Sequence, residues 1–235
     1  MSLNTVDEDT QSGAVQQAQQ KRLFDLAVLF AGHLALLPLW ILIWIIVPLA
    51  IWLNDRGPVF YKQLRVGKDG QIFTMFKFRT MVPDAEQCGP MWTTEGDPRV
   101  TAVGKILRRT ALDELPGVFS ILKGDMSLVG PRALDVEEQR LLEREIPGFA
   151  KRLEVMPGLT GLAQVYDRTD SAQKKLEYDL EYVQRGNIWL DVKLIGLSIR
   201  NTMIAKWDHR SGKPNTTEPG SKSMDDSHSG NDHDD

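Results

Sequence analysis

Residues suited to thiol or metal chemistry are scarce in this chain. It has one cysteine, Cys88, in 235 residues, which excludes an internal disulfide framework and any multi-cysteine zinc site. Four histidines leave little room for a histidine metal site or a nucleophile–histidine relay, so catalysis is left to carboxylates, arginines and lysines. No G-x-x-x-x-G-K-[ST] phosphate loop occurs, and no internal repeat is visible. D-x-D pairs occur only at the two ends, Asp7/Asp9 and Asp232/Asp234, in polar stretches with no fold to fix a metal ligand. The formal net charge is -4, but it is segregated: residues 1–20 carry -3 and residues 211–235 carry -4, so the body carries +3. The body between them is mildly basic, with the two signs intermixed. Such a body suits phosphate-bearing ligands or anionic headgroups and not the one-sided stripe of a nucleic-acid binder.

What the chain does have is a long uncharged run. Leu26–Leu53 contains no Asp, Glu, Lys or Arg and as one straight helix would reach about 42 Å, more than a bilayer's hydrocarbon thickness of about 30 Å. It is too long for a secretory signal, and no small-residue cleavage site follows it. Pro38, near its middle, removes a helical hydrogen bond and favours a kink. Lys21 and Arg22 precede the run, and Arg56, Lys62, Arg65 and Lys68 follow it. Basic flanks favour the cytoplasmic face, so two topologies stay open: a single-pass helix with a proline kink, or a helix that breaks at Pro38 and returns to the same face. This gives four regions: a disordered leader (1–20), a membrane segment (21–54), a folded polar body (55–208) and a disordered acidic tail (209–235).

Beyond the membrane segment, Val59–Gln63 and Gln71–Phe78 are β-prone, and Gly67-Lys68-Asp69-Gly70 between them is a hairpin turn signal. Helices are expected at about 102–110, 114–123, 135–146 and 171–185, the last closed by Gly186. Ile188, Val192, Ile195, Ile199 and Met203 form a helical stripe flanked by Trp189 and Trp207. That stripe faces either a membrane interface or the core. His33 reads as a helix-contact or headgroup residue, and Cys88 as incidental.

The densest polar constellation is Leu107-Arg108-Arg109-Thr110-Ala111-Leu112-Asp113-Glu114-Leu115-Pro116. Asp113 and Glu114 stand where a helix begins, a position that favours anions. Read alone, Asp113 is a helix cap and Glu114 a first-turn acid. Lys77 and Arg79 alternate with Phe76 and Phe78, so their charges share one strand face, either as ligand contacts or as solvated decoration. Gly124-Asp125 and Gly130-Pro131 read as turns that direct Arg132 inward, and Pro157-Gly158 with Gly161 as a tight loop.

These segments occur in a telling order: Arg56-Gly57-Pro58-Val59-Phe60, Lys77-Phe78-Arg79-Thr80-Met81, Asp97-Pro98-Arg99, Leu112 to Pro116, Leu122 to Arg132, and Pro157-Gly158-Leu159-Thr160-Gly161-Leu162-Ala163-Gln164-Val165. In this series the chain resembles the small monotopic phosphoglycosyl transferases of the bacterial sugar transferase family, from Lys21 to about Trp207. The resemblance implies an α+β, mostly helical fold: a re-entrant membrane helix-break-helix with its break at Pro38, interfacial amphipathic helices and a small antiparallel β-hairpin. It implies transfer of a sugar-1-phosphate from a UDP-sugar to polyprenyl (undecaprenyl) phosphate with release of UMP. The product would begin assembly of a polysaccharide or glycoconjugate such as an exopolysaccharide, O-antigen or capsule. The expected mechanism is ping-pong, with Asp113 as nucleophile, Glu114 helping to bind Mg²⁺, and Arg108 and Arg132 holding phosphate. Lys77, Arg79 and Gln164 are candidates for phosphate or substrate contact.

The implied setting is the cytosolic face of a bacterial inner membrane, with membrane lipids as partners, no nucleic acid, and a homodimer left open. The additional membrane helices of larger relatives do not precede the matched run, so a minimal catalytic form is expected. The chain departs from the usual pattern at Leu37-Pro38 (commonly Ser-Pro), Ala111, Gly117, Ser120, Ala133 and Tyr166-Asp167-Arg168, none of which removes a carboxylate or an arginine named above. A nucleotide-sugar enzyme working without a covalent step is disfavoured by the lack of D-x-D in the body. A membrane-anchored scaffold would keep its role without Asp113.

Overall fold

The computed structural model describes residues 4–85, 87–88, 96–167, 169 and 171–204, and the side chains of 4–14 and Met203 are not described. Trp207, Arg168, the acidic tail and the side chains of both D-x-D pairs therefore lie outside the described residues.

Helix α1 runs Asn4–Ala35 and α2 runs Leu37–Asp55. The expected disordered leader is thus helical from Asn4 onward. Ala14 and the Gln-, Lys- and Arg-rich stretch after it are good helix formers, and a helix nucleated by the apolar run propagates back through them at low cost. The break falls at Leu36, whose φ of -111° and ψ of 21° leave the helical region, and Pro38 sits in the first turn of α2, where its missing N–H costs nothing. A second proline, Pro48, lies inside α2 without ending it. The His33 ring stacks on Trp40 across the break at 4.3 Å, and its Nδ1 lies 2.7 Å from the Leu29 carbonyl. His33 is thus the helix contact the sequence suggested.

Among the described residues, α2 is the helix long and apolar enough to cross a membrane, with a mean hydropathy of 2.1 over its best window. Most of its Leu and Ile side chains are exposed, as are Phe30 and Leu34 of α1. Yet both limbs reach the same polar body. From α1, Arg22 donates to the carbonyls of Ile121 and Leu122, and Leu29 packs on the Phe73–Met75–Ile121 cluster. From α2, Trp44 meets Phe119 at 5.5 Å, while Val47 and Ile51 are buried with Phe78 and Leu107. Ile121, Leu122 and Phe119 all belong to one short helix, α4 (Val118–Lys123).

Strands β1 (Phe60–Val66) and β2 (Ile72–Phe78) pair antiparallel from Phe60↔Phe78 to Val66↔Ile72, around a turn that places Asp69 and Gly70 at positive φ. β1 runs three residues past the expected Gln63. Helix α3 (Ala102–Arg109) follows, N-capped by Thr101 Oγ1, which accepts from Gly104 N–H. Gly104 lies directly against the Thr80 carbonyl, which a Cβ would overlap. The remaining helices are α5 (Val136–Glu145), α6 (Leu162–Tyr166), α7 (Ala172–Arg185) and α8 (Ile188–Met203).

The sequence did not reveal a second, parallel pair of strands, β3 (Ser127–Val129) with β4 (Gly158–Thr160). Each is three residues long and runs straight into a glycine, Gly130 or Gly161, a pattern that reads as turns. The glycines serve instead for close approach, since a Cβ on Gly158 would overlap the main chain of Gly130.

Helix α8 divides the expected stripe. Asp191 and Leu194 are fully buried and Ile195 packs beside them, whereas Val192 and Ile199 face outward and Trp189 is 84% exposed. Lys21 of α1 joins this helix to the membrane segment. Its ammonium lies 2.7 Å from Asp25 and 3.0 Å from Asp191. Asp25 also accepts from Ser127 Oγ at 2.7 Å, and Asp191 from the Tyr182 hydroxyl at 2.8 Å. Removing one partner of a buried ion pair costs about 3–5 kcal/mol, because the remaining charge is left without compensation. Lys21→Met is therefore expected to lower the thermal unfolding temperature of the detergent-solubilised protein markedly. Lys123→Met, at a side chain 73% exposed, should leave it unchanged.

Candidate active site

Asp113 and Glu114 lie in the first turn of a 3-10 segment, Leu112–Gly117, that packs against β2. The residue before it, Ala111, is held at φ 54° in the left-handed region, a conformation that costs a non-glycine residue about 1–2 kcal/mol. The chain turns sharply there, from the end of α3 into the carboxylate pair. No side chain caps this segment, so Asp113 is not the helix cap that the bland reading allowed.

Two cations converge on one oxygen of Glu114. Lys77 Nζ, on β2, donates to Oε1 at 3.1 Å, and Arg132 Nη2, on the loop after β3, donates to the same atom at 2.7 Å. Burial alone would raise the Glu114 pKa, but the Arg132 and Lys77 charges outweigh it and hold the carboxyl well below its ordinary range. Burial draws the Lys77 pKa down against the pull of Glu114.

Asp113 behaves in the opposite sense. Burial first, and then the adjacent Glu114 charge, push its pKa up to about 6, with Lys77, Arg108 and Arg132 only partly offsetting the rise. No hydrogen bond ties up its carboxylate among the described residues. Arg108 approaches from α3, its Nε donating to Thr80 Oγ1 at 2.9 Å.

A recess beside Glu114 is lined by Arg65, Met75, Lys77, Arg132 and Leu159, among others. The structure thus gathers Glu114, Lys77 and Arg132 at one place, with Asp113 and Arg108 within electrostatic reach. Arg79 and Gln164 do not line this recess. Arg79 is paired with Asp55 at the end of α2 and lies against Gly57, so it joins the apolar limb to β2. Gln164, on α6, has its amide buried beside Gly161.

The sequence reading missed Arg65, which is 8% exposed. Strand alternation groups Arg65 with Tyr61 and Gln63, opposite the apolar Phe60 and Leu64; it is the apolar pair that is exposed, so the hydrophobic pattern points the wrong way.

For a divalent cation the oxygen donors at hand are the Asp113 carboxylate and Glu114, both of whose cation contacts fall on Oε1. Among the described residues no three His, Cys, Asp or Glu side chains cluster as a metal cage. The pair fits Mg²⁺, which commonly takes one or two carboxylates and completes its shell with water and phosphate oxygens.

The family model described as bacterial sugar transferase matches residues 16–205. The UDP-N-acetylgalactosamine-undecaprenyl-phosphate N-acetylgalactosaminephosphotransferase of Aeromonas hydrophila is 42% identical over 161 residues, covering 65% of this chain and 37% of that protein. The undecaprenyl-phosphate glucose phosphotransferase of Komagataeibacter xylinus is 39% identical over 197 residues, or 80% of this chain and 36% of that protein. An uncharacterized sugar transferase, EpsL, of Bacillus subtilis is 39% identical over 187 residues, covering 79% and 88%. The chain spans little more than a third of the first two of these relatives.

The raised pKa of Asp113 has a direct consequence for stability. A carboxyl that binds its proton more tightly in the folded than in the unfolded chain loses stability as pH rises from about 4 through about 6. Asp113→Asn lacks this titration. With a chelator present, the variant should be more stable than the parent by about 1–3 kcal/mol at pH 8, with the gap closing towards pH 4. Denaturant titration at the two pH values measures it, and an equal gap at both would contradict the assignment.

Proposed function

The chain belongs to the bacterial sugar transferase family, and from that premise we propose that it moves a sugar-1-phosphate from a UDP-sugar to polyprenyl phosphate, with undecaprenyl phosphate the acceptor suggested by its relatives' names. The observation that carries this reading is the unbonded Asp113 carboxylate, raised to about 6, beside a Glu114 that engages Lys77 and Arg132. An unbonded carboxylate is free to act as a nucleophile, and the surrounding cations offset the charge of a phosphoryl group that would otherwise repel it.

In the first half-reaction an Asp113 oxygen bonds to the sugar-bearing phosphorus as the P–O bond of the diphosphate bridge breaks. UMP leaves with the bonding electron pair, and an acyl phosphate remains on Asp113. In the second, an oxygen of the polyprenyl phosphate bonds to the same phosphorus and the Asp113–phosphorus bond breaks, regenerating the carboxylate. Arg108 and Arg132 hold the phosphate oxygens, and Lys77 keeps Glu114 ionised. Mg²⁺, when bound by Glu114 with Asp113 nearby, supplies Lewis-acid neutralisation of the diphosphate.

The setting proposed is monotopic, on the cytosolic face of a bacterial inner membrane. Two limbs that meet one short helix, through Arg22 on one side and Trp44 on the other, favour a re-entrant hairpin over a single crossing. The outward apolar residues of α8 favour contact with the same interface. Such a site lies at headgroup level, where a lipid-borne phosphate is presented.

Relatives' names include N-acetylgalactosamine, glucose and galactose transfer, so those three UDP-sugars form the natural donor panel. Intact mass spectrometry with Mg²⁺ and each donor, without lipid acceptor, is expected to show one phosphosugar adduct that Asp113→Asn abolishes and EDTA suppresses. UMP release that needs polyprenyl phosphate, with no adduct under any donor, would sink the covalent step.

A further inference from the structure

The turn that carries Arg132 is held in an unusual way. Its three consecutive carbonyls accept from three different elements. Gly158 N–H, on β4, donates to Pro131 O at 2.8 Å, Arg152 Nη2 donates to Arg132 O at 2.6 Å, and Arg65 Nη1, on β1, donates to Ala133 O at 2.8 Å.

Both guanidiniums are buried, with Arg152 only 2% exposed. Arg152 is further fixed by Asp179 Oδ2 at 2.8 Å and Gln139 Oε1 at 3.1 Å. Arg65 also donates to Gln63 Oε1, but among the described residues no carboxylate lies within ion-pair distance of it. Burial, with Arg132 adding to it, lowers the Arg65 pKa. Keeping an unpaired cation buried next to another cation is costly. The main-chain pairing of Val66 N–H with Leu134 O at 3.0 Å already joins β1 to this loop, so fold alone does not call for a guanidinium there.

We propose that Arg65 and Arg152 are positioning residues that clamp the Pro131–Ala133 main chain and thereby aim Arg132 at Glu114 and at the donor's diphosphate. This rests on the transfer reaction proposed above. The Arg132 side chain is a third exposed, so a loosened turn would let it exchange Glu114 for water, and small misplacements at a reacting centre cost rate. The fork of a guanidinium reaches two acceptors in fixed geometry, which an ammonium on a flexible stem does not reproduce.

The test is a double-mutant cycle on the full chain in lipid nanodiscs, with Arg65→Gln, Arg65→Lys, Arg132→Gln and the double variant Arg65→Gln/Arg132→Gln. Two quantities are read with Mg²⁺ present: kcat/KM for the accepted UDP-sugar, and UMP affinity by calorimetry. The expected result is a loss of at least tenfold in kcat/KM for both Arg65 variants, with the double variant within about twofold of Arg132→Gln. UMP affinity should show the same absence of a second loss. Near-full activity in Arg65→Lys would mean that charge alone matters, and losses that multiply in the double variant would mean an independent anion contact; either overturns the clamp. A lowered melting temperature with unchanged activity per folded molecule also overturns it.

If Arg65→Gln does not fold, Arg152→Lys takes its place in the same cycle with Arg132→Gln, and the same non-additivity is expected. The UMP cycle does not depend on turnover. Absent turnover with coupled UMP binding would therefore count against the transferase reading alone, and turnover without coupling against the clamp alone.

Discussion

The ammonium of Lys21 sits between two buried carboxylates, Asp25 on its own helix and Asp191 on α8, and much of the arrangement hangs on it. Two acids with so little access to water need a cation. The chain supplies it at the point where the polar N-terminal stretch gives way to the apolar limbs. Ser127 and Tyr182 complete the set from β3 and α7, so three elements, β3, α7 and α8, are fixed to the base of one limb. The other limb is fixed differently, by apolar burial of Val47 and Ile51 on Phe78 and Leu107 and by the Arg79–Asp55 pair. One limb is located by charge and the other by packing, and both locate the same body.

That body is built so that β2 serves two faces. Phe73, Met75 and Lys77 share one face, the first two in the cluster that Leu29 covers and Lys77 bonded to Glu114, while Phe78 on the other face packs with Val47 and Ile51. A single seven-residue strand thereby sets the distance between the apolar limbs and the carboxylates. The short parallel pair does the complementary work, bringing the Arg132 turn against Gly158 with no side chain between. Strength of packing on one side and closeness of main chains on the other leave the recess little freedom to change shape.

How much of this could be read from the sequence depends on the range of the interaction involved. The uncharged run and its break declare themselves locally, and so do the hairpin and helices α3, α5 and α7, whose caps and periodicity lie within a few residues of one another. Asp113, Glu114 and Arg132 were singled out through a series of motifs in register, and the Arg132–Glu114 contact itself joins segments that no local pattern relates. Pairing of two three-residue strands separated by α5 leaves no periodic trace. Arg79 shows the converse: strand alternation relates it to Lys77, but β2 ends at Phe78 and the side chain goes to Asp55 instead. Arg65 was overlooked because β1 exposes its apolar Phe60 and Leu64 and buries its arginine, the reverse of the usual pattern, and the Lys21 junction because a lysine before a membrane run has an ordinary explanation as a topology signal.

The neighbouring carboxylates differ because of the helix type that carries them. In a 3-10 turn consecutive side chains project about 120° apart, so adjacent residues can face different partners. Glu114 takes Lys77 and Arg132, while Asp113 faces the charge of Arg108 from α3 without a bond to it. Had either cation paired with Asp113, its lone pairs would be engaged and its charge quenched. Burial first, and then the Glu114 charge beside it, raise the cost of ionising Asp113, while both hydrogen-bonding cations sit on Glu114. The left-handed Ala111 turns the chain out of α3 just before the pair, so the two carboxylates enter the site at the sharpest bend between α3 and α4.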